Sequence, residues 1–142
     1  MKTILLVDDE DYLRDLVRAI IEDSECRVLE ACNGIEALEM VRTENPDLVV
    51  LDWMMPEMTG IEVSMAMRKD PRTATVPIIL LSGNDREACI KEGREAGVTA
   101  YMAKPFSPLE LLTKVEEILA EVQVVGTEPP STGATDGCPL AA

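Results

Sequence analysis

Histidine is absent from this chain of 142 residues. Without an imidazole group the chain cannot build a Ser-His-Asp or Cys-His nucleophilic site, a histidine zinc site, a phosphohistidine carrier or a histidine pH switch. Any chemistry that the chain performs must therefore rest on carboxylates, hydroxyl groups and lysine.

Basic residues are few: 13 Lys and Arg stand against 27 Asp and Glu, which gives a net charge of −14. A protein that binds nucleic acid displaces counterions from phosphates with a surplus of basic side chains, and this chain has no such surplus. An anionic membrane surface would also attract basic residues, so the shortage of Lys and Arg argues against binding to such a surface as well. We therefore expect neither direct nucleic acid binding nor membrane binding.

Cysteine motifs and long apolar runs are missing as well. The four cysteines, Cys26, Cys32, Cys89 and Cys138, have no C-x-x-C spacing, so neither a zinc site nor a disulfide framework is indicated, and reduced thiols in a cytosol fit best. No run of ~18 apolar residues exists, and the apolar stretch near the N-terminus is too short for a signal peptide. These absences predict a soluble, cytoplasmic protein.

What the sequence does contain is a set of short apolar runs. Three of them lack the alternation of a half-exposed strand and predict strands that are buried on both faces: Ile4 to Val7, Leu48 to Leu51 and Ile78 to Leu81. Two weaker segments, Arg27 to Ala31 and Ala100 to Ala103, fall where a second and a fifth strand are needed.

Helical patterns lie between and after these runs. Apolar residues recur at helical spacing from Leu13 to Ile21 and from Leu111 to Val122. Four helix starts are marked by a capping residue followed three positions later by glutamate, a pair that the first helix lacks: Asn33/Glu36, Thr59/Glu62, Asn84/Glu87 and Ser107/Glu110, the last with Pro108 at the first helical position. The prediction is an α/β domain with a doubly wound, five-stranded parallel sheet, right-handed crossovers and five helices on its two faces.

The C-terminal segment differs in composition from the rest. Gln123 to Ala142 contains three Gly and three Pro, no Lys or Arg, and no apolar periodicity. We therefore expect the folded domain to span residues 1–122 and residues 123–142 to form a flexible tail or a truncated linker.

Polar side chains follow four of the predicted strands, at the edge where open α/β sheets bind ligands. Asp8 and Asp9 follow strand one, Asp52 follows strand three, Ser82 follows strand four and Lys104 follows strand five. Taken singly, each has a structural explanation: the aspartates as helix caps, the serine as a turn residue and the lysine as a solvated charge. Their coincidence at one edge favours a functional site.

The clustering of the aspartates predicts a cation. Two carboxylates ~4 Å apart repel by about 4 kcal/mol at an effective dielectric constant of about 20, so a cluster of three is unfavourable without a cation among them. Mg²⁺ takes oxygen ligands, keeps several waters and usually binds one or two carboxylates together with phosphate oxygens. With a lysine and a hydroxyl group nearby, this edge is predicted to bind Mg²⁺ and an anion that contains phosphorus.

These residues resemble the receiver domains of bacterial two-component response regulators, a family that includes the single-domain chemotaxis regulator. The resemblance covers Lys2 to about Val122 and is carried by four motifs in order: Asp8-Asp9, Asp52 within L-D-W-M-M-P, Ser82-Gly83, and Lys104-Pro105-Phe106. It implies a flavodoxin-like fold with strand order 2-1-3-4-5. It also implies a phosphorelay protein that is not an enzyme in the usual sense, because it catalyses only its own phosphorylation and dephosphorylation.

The resemblance implies a role for each residue of the site. Asp52 would accept the phosphoryl group from a phosphohistidine of a sensor histidine kinase or a histidine phosphotransfer protein. Asp9, Asp52 and the backbone carbonyl of Met54 would bind Mg²⁺, and Asp8 would hold a water on the metal. Lys104 would pair first with Asp52 and then with a phosphoryl oxygen.

A switch is implied as well. The Ser82 hydroxyl would bond another phosphoryl oxygen, Tyr101 would rotate inward, and the surface of helix four, strand five and helix five would change to a state that binds a downstream protein target. The Lys104-Pro105 bond is expected to be cis, and Gly93 to weaken helix four by up to ~1 kcal/mol relative to alanine. The protein would be a monomer or a weak phosphorylation-dependent dimer, and either a stand-alone receiver or one cut from a longer regulator at its linker.

Two other functions compete with this interpretation. A Mg²⁺-dependent phosphohydrolase with an aspartyl nucleophile would want a second acid two residues after Asp52, where this chain has Met54. A pseudo-receiver would bind partners without phosphorylation, and the complete set of acids, hydroxyl and lysine argues against it.

Overall fold

Five strands alternate with five helices in the computed structural model, which describes residues 2–22, 25–83 and 87–127. Each strand is followed by one helix, so the described chain is a series of β-α units. The strands are β1 Lys2–Val7, β2 Cys26–Ala31, β3 Leu48–Asp52, β4 Ile78–Ser82 and β5 Ala100–Ala103, and the helices are α1 Asp11–Ile21, α2 Gly34–Glu44, α3 Gly60–Lys69, α4 Glu87–Glu95 and α5 Pro108–Thr127.

The strands form one parallel sheet in the order β2-β1-β3-β4-β5, which confirms the predicted fold class and strand order. The register places Asp52 beside Leu81 and Ser82 beside Ala103. Because all the strands run in the same direction, their carboxyl ends meet at one edge of the sheet. The loops that carry the predicted site residues therefore lie side by side.

The core lies in two layers, one on each face of the sheet. Alternate residues of β1 divide between them: Ile4 and Leu6 pack with α1 and α5, whereas Leu5 and Val7 pack with α2 and α3. A strand that is apolar on both faces is needed for this arrangement, and this explains why the central runs show no polar alternation. The structure thus confirms a doubly wound sheet with helices on both faces.

Three of the four predicted capping pairs lie in the described part of the chain, and all three are formed. Thr59 and Glu62 make a reciprocal capping box at the start of α3. The side chain of Asn33 accepts a hydrogen bond from the backbone of Glu36 at α2, and Ser107 and Glu110 exchange hydrogen bonds at α5. Asn84, the fourth predicted cap, lies outside the described residues.

Helix α5 continues past the predicted domain boundary at Val122 and ends at Thr127. Pro129 is the first proline after Pro108, the residue at which α5 begins, and helices usually end at or before the residue that precedes a proline. Residues 128–142, most of the predicted tail, lie outside the described residues. Within the part of the chain that is described, none of the helices is both long enough and apolar enough to cross a membrane.

Helix α4 is fastened at its C-terminal end by side chains of α3. The buried hydroxyl of Ser64 donates to the carbonyl of Ala96 over 2.8 Å, and the guanidinium of Arg68 donates to the carbonyl of Gly97 over 2.9 Å. Gly97 has a φ of +93°, a conformation that favours glycine. These bonds hold the turn that leads from α4 into β5.

Candidate functional site

The loop after β1 carries two aspartates with different surroundings. Asp8 is buried, and its carboxylate accepts a hydrogen bond of 2.9 Å from the backbone of Glu10. Asp9 is exposed. Helix α1 begins with Glu10 as its N-cap, and the Glu10 side chain makes no capping hydrogen bond. The sequence shows no capping pair at α1, and in the structure Asp8 instead accepts the hydrogen bond from the backbone N–H of Glu10, where the helix begins.

Asp52 is the last residue of β3 and is buried, with 5% of its surface exposed. Helix α3 begins close to it, because the backbone N–H of Gly60 donates to the carbonyl of Trp53 over 2.9 Å. A Cβ atom at position 60 would lie 2.4 Å from the backbone oxygen of Asp52, which is closer than real Cβ contacts allow. Glycine is therefore required where α3 meets the end of β3.

Lys104 follows β5 and reaches across β4 to the aspartates. Its Nζ donates to Oδ1 of Asp52 over 2.6 Å and lies 3.9 Å from Oδ2 of Asp8. Its backbone N–H donates to the carbonyl of Ser82 over 2.6 Å. The peptide bond from Lys104 to Pro105 is cis, as the resemblance implied.

Asp8, Asp9 and Asp52 each offer a carboxylate oxygen, and these oxygens lie within 4.8 Å of one another. Burial, reinforced by the charge of Asp52, raises the pKa of Asp8 from 3.8 to about 6. Burial also raises the pKa of Asp52, although the hydrogen bond from Lys104 opposes that change. Burial thus disfavours the charged forms of both carboxylates, and the positive charge of Lys104 offsets this cost only in part.

This donor set fits a hard divalent cation. Three carboxylates, two from the loop after β1 and one from the end of β3, provide oxygen ligands, and a cation would offset both the burial of their charge and their mutual repulsion. Mg²⁺ takes one or two protein carboxylates and keeps several waters, and the exposed position of Asp9 leaves the site accessible to solvent on that side. The residues are therefore suited to Mg²⁺.

The other predicted residues lie around this cluster. Ser82 is buried at the end of β4. Met54 is in the loop after β3, and its side chain is 71% exposed. Tyr101 is half-buried in β5, and its ring makes an edge-to-face contact with Trp53 at a centroid distance of 6.2 Å. Gly93, the buried residue of α4, faces the same ring, since a Cβ atom there would lie 3.3 Å from Cδ2 of Tyr101.

Arg14 supports the site from α1, although it was not among the residues predicted from the sequence. This side chain on α1 donates to the backbone carbonyl of Asp8 over 2.6 Å and to Glu30 of β2 over 2.9 Å. A signal was present in the sequence, because a glutamate inside a predicted strand needs a cationic partner if it is not fully solvated. Arg14 and Arg18 lie on the same helix as the buried Val17, and both provide a cationic partner for Glu30.

A parallel α/β sheet with acids and a lysine at its carboxyl edge is suited to phosphoryl chemistry. Comparison with known proteins identifies the family to which the domain belongs. Residues 4–116 match the response regulator receiver domain. The chain belongs to this family, whose CheY-like members act in two-component signal transduction and accept phosphoryl groups from histidine kinases.

Two curated relatives illustrate the match in sequence. The phosphate regulon transcriptional regulatory protein PhoB of Pseudomonas aeruginosa is 36% identical over 129 residues, which cover 91% of this chain and 56% of PhoB. The transcriptional regulatory protein SrrA of Staphylococcus aureus is 38% identical over 133 residues, covering 94% of this chain and 54% of SrrA. The chain thus spans about half the length of these relatives.

Solved structures show the same similarity. The receiver domain of the Francisella response regulator 1452 has a TM-score of 0.80 and 31% identity, with coverage of 86% of this chain and 99% of that domain. The Vibrio cholerae chemotaxis protein CheY4 has a TM-score of 0.78 and 31% identity, with coverage of 83% and 98%. The chain is therefore similar along its folded length both to receivers of longer regulators and to a chemotaxis protein.

Proposed function

We propose that this domain accepts a phosphoryl group from a phosphohistidine of a partner protein onto Asp52 in a Mg²⁺-dependent reaction. The observation that carries the proposal is the position of the Asp52 carboxylate, which is buried at the carboxyl edge of the sheet between the acids of the β1 loop and Lys104. A carboxylate needs no base to become a nucleophile at neutral pH once a cation stabilises its charged form.

The reaction requires positioning and neutralisation of charge more than proton transfer. An oxygen of Asp52 attacks the phosphorus atom, the bond from phosphorus to the imidazole nitrogen breaks, and the donor histidine leaves with the electron pair of that bond. The product is an acyl phosphate on Asp52. Lys104 already bonds Asp52 and would follow the developing negative charge onto a phosphoryl oxygen.

Asp8, Asp9, Asp52 and the backbone carbonyl of Met54 are the groups that would hold Mg²⁺. Bound there, Mg²⁺ supplies positive charge that offsets both the carboxylates and the incoming phosphoryl oxygens. The protein residues do the rest: Asp52 reacts, Lys104 stabilises charge, and the Ser82 hydroxyl bonds a phosphoryl oxygen from the end of β4.

The response to phosphorylation is proposed to pass through Tyr101. Its ring contacts Trp53, which follows Asp52, and also lies close to Gly93 of α4. One side of Tyr101 also lines a groove of about 640 Å³ between β5 and α5, together with Leu109 and Lys114. Movement of Ser82 toward the phosphoryl group would let Tyr101 turn inward and change this surface, which we propose binds a downstream protein target.

The donor protein is proposed to dock on an apolar groove beside the site. This groove, of about 330 Å³, is lined by Leu13, Leu16, Lys104, Pro105 and Phe106. Lys104 both lines this groove and bonds Asp52. A protein bound in the groove therefore places its own residues next to Asp52. This chain contains no histidine, so the phosphohistidine must come from another protein, and we propose that this protein occupies the groove.

Phosphorylation is tested with acetyl phosphate, a small donor that needs no docking surface. Incubation with Mg²⁺ should add the mass of one phosphoryl group, and hydroxylamine should remove it because it cleaves acyl phosphates. Asp52→Asn should abolish the addition. Asp15→Asn is the matched control, because Asp15 is an exposed aspartate on α1. Equal uptake by the Asp52 variant would refute the assignment.

Docking is tested by placing a charge in the groove. Leu16 is 40% exposed and Met65, on α3, is 44% exposed, so Leu16→Glu and Met65→Glu make equal changes on different surfaces. The fastest donor in a panel of phosphorylated histidine kinases should react at least tenfold more slowly with Leu16→Glu than with Met65→Glu. Both variants should react equally with acetyl phosphate. Equal rates with the kinase would show that the groove is not the docking site.

A further inference from the structure

Arg14 makes three separate bonds next to the proposed metal site. Its side chain is only 12% exposed although it lies on α1, one turn into the helix. Nη1 donates to the backbone carbonyl of Asp8 over 2.6 Å, Nε donates to Glu30 over 2.9 Å, and Nη2 bonds Asp11. Each nitrogen of the guanidinium group therefore has its own acceptor.

The bond to the Asp8 carbonyl fixes the peptide group that joins Asp8 to Asp9. The same loop is held from the other side, since the backbone N–H of Asp8 donates to the carbonyl of Ala31 over 3.2 Å. A peptide group that is bonded at its carbonyl cannot rotate without breaking that bond. The direction in which Asp9 leaves the backbone is therefore set in part by Arg14.

Glu30 anchors Arg14 to the sheet. It lies in β2 and also accepts from Arg18, which itself donates to the carbonyl of Val28 over 3.0 Å. Two arginines of α1 are thus tied to one strand through a single carboxylate. The position of Arg14 is consequently set by the rigid sheet rather than by the loop that it supports.

The contribution of Arg14 is position rather than charge. Its positive charge is matched by the carboxylates of Glu30 and Asp11. Arg14 contacts Asp8 only at its neutral backbone carbonyl oxygen. The carboxylate of Asp8 accepts a hydrogen bond from the backbone N–H of Glu10 and lies near Lys104.

We infer that Arg14, anchored by Glu30, is a positioning residue that holds the β1–α1 loop in the geometry needed to bind Mg²⁺. The inference rests on the proposed function, because it concerns the same Mg²⁺ site. Groups that orient metal ligands without touching the metal typically affect affinity by 10- to 100-fold.

Mg²⁺ affinity can be followed through Trp53, the only tryptophan of the chain, which is next to Asp52. Fluorescence titration with MgCl₂ should give a Kd about tenfold higher for Arg14→Met than for the unsubstituted protein. Glu30→Gln, which keeps an acceptor for Arg14 but loses its charge, should give a smaller increase. Arg27→Met is the control, since Arg27 is on the same strand as Glu30 but pairs with Glu44 at the surface.

A second measurement separates positioning from general damage. In phosphorylation by acetyl phosphate, Arg14→Met should raise the Mg²⁺ concentration at half-maximal rate while the rate at saturating Mg²⁺ stays within about twofold. Should Arg14→Met not fold, judged by circular dichroism, the Glu30→Gln titration decides the question alone.

The outcomes distinguish this inference from the proposed function. Normal Mg²⁺ binding by both Arg14→Met and Glu30→Gln would overturn the inference and leave the proposed function intact. A lower maximal rate with an unchanged Kd would also overturn it, since Arg14 would then act on the reaction itself. Absence of Mg²⁺ binding by the unsubstituted protein would overturn the proposed function and this inference with it.

Discussion

Lys104 donates a hydrogen bond of 2.6 Å to the carboxylate of Asp52, although the two residues are 52 positions apart in sequence. The bond joins the loop after β5 to the end of β3 across the intervening strand β4. In the protein without a phosphoryl group, Lys104 is the cation that makes a buried Asp52 carboxylate tolerable.

Lys104→Met should lower the free energy of unfolding at pH 7 in the absence of Mg²⁺ by about 2–4 kcal/mol, because the buried Asp52 carboxylate loses the cation that donates to it. The loss should be smaller at pH 5, because Asp8, whose pKa is raised to about 6, is mostly protonated there, and the raised pKa of Asp52 acts in the same direction. Urea unfolding at the two pH values measures both effects. Lys114→Met is the control, since Lys114 pairs with Glu117 at the surface. Equal effects of the two substitutions would contradict the role assigned to Lys104.

Mg²⁺ affinity should fall as the pH is lowered through about 6. The pKa of Asp8 is raised by burial to about 6, so this group is mostly charged at pH 7 and mostly protonated at pH 5. A protonated carboxyl is a poor metal ligand, so we expect affinity to fall roughly tenfold over this range. The raised pKa of Asp52 acts in the same direction.

The stability of the metal-free protein should change with the opposite sign. A carboxyl group whose pKa is raised by folding binds its proton more tightly in the folded state, so stability rises as the pH falls from 6 toward 4. Fluorescence titrations and urea unfolding across this range measure the two trends. Asp8→Asn should flatten both, and a variant that retained the full pH dependence would show that another group titrates.

Most of the fold was predictable because its signals are local. Runs such as Leu48 to Leu51 are apolar on both faces, and pairs such as Thr59 and Glu62 mark helix starts without reference to the rest of the chain. At the C-terminal end, composition predicts a tail from Gln123, and the structure adds that α5 runs to Thr127. Composition describes a segment as a whole and does not locate the last turn of a helix.

The site was predictable for a different reason. A parallel sheet brings all carboxyl ends to one edge, so the residues that follow the strands are neighbours whatever the lengths of the helices between them. Asp8, Asp9, Asp52, Ser82 and Lys104 were expected at that edge, and the structure places them there.

The contacts that support the site could not be predicted in the same way. The bond from Arg14 to the Asp8 carbonyl depends on the rotation of α1 about its axis and on the reach of one side chain. Gly93 was expected only to weaken α4, but it is buried and faces Tyr101, which depends on how closely the helix approaches β5. Such distances follow from packing in three dimensions rather than from local sequence.

Gly60→Ala should destabilise the protein, whereas Gly83→Ala should not. A Cβ atom at position 60 would meet the backbone oxygen of Asp52 at 2.4 Å, so the start of α3 must move away from β3. We expect a cost of about 3 kcal/mol in urea unfolding, together with weaker Mg²⁺ binding as Asp52 shifts. At Gly83 no described atom lies within 4 Å of an added Cβ, so its substitution should be neutral or slightly stabilising. Equal stability of the two variants would show that α3 adapts without disturbing β3.

Arg68→Met should destabilise the connection between α3 and the end of α4. The guanidinium group of Arg68 donates to the carbonyls of Ala74, Val76 and Gly97, at 3.1, 2.7 and 2.9 Å. Burial lowers the pKa of Arg68, which shows that its charge is held partly out of water. Methionine fills similar space but donates no hydrogen bond, so three carbonyls lose their donor.

The expected cost of Arg68→Met is about 2–3 kcal/mol in urea unfolding, the usual range for hydrogen bonds that involve a charged group. Lys69→Met is the matched control, because Lys69 is the next residue of α3, carries the same charge and is exposed. Native-state hydrogen exchange should also show faster exchange at the backbone N–H of Val98, which follows the turn that Arg68 holds. An Arg68 variant as stable as the Lys69 variant would mean that water replaces the guanidinium at these carbonyls, and that the turn into β5 is held by Ser64 and the backbone alone.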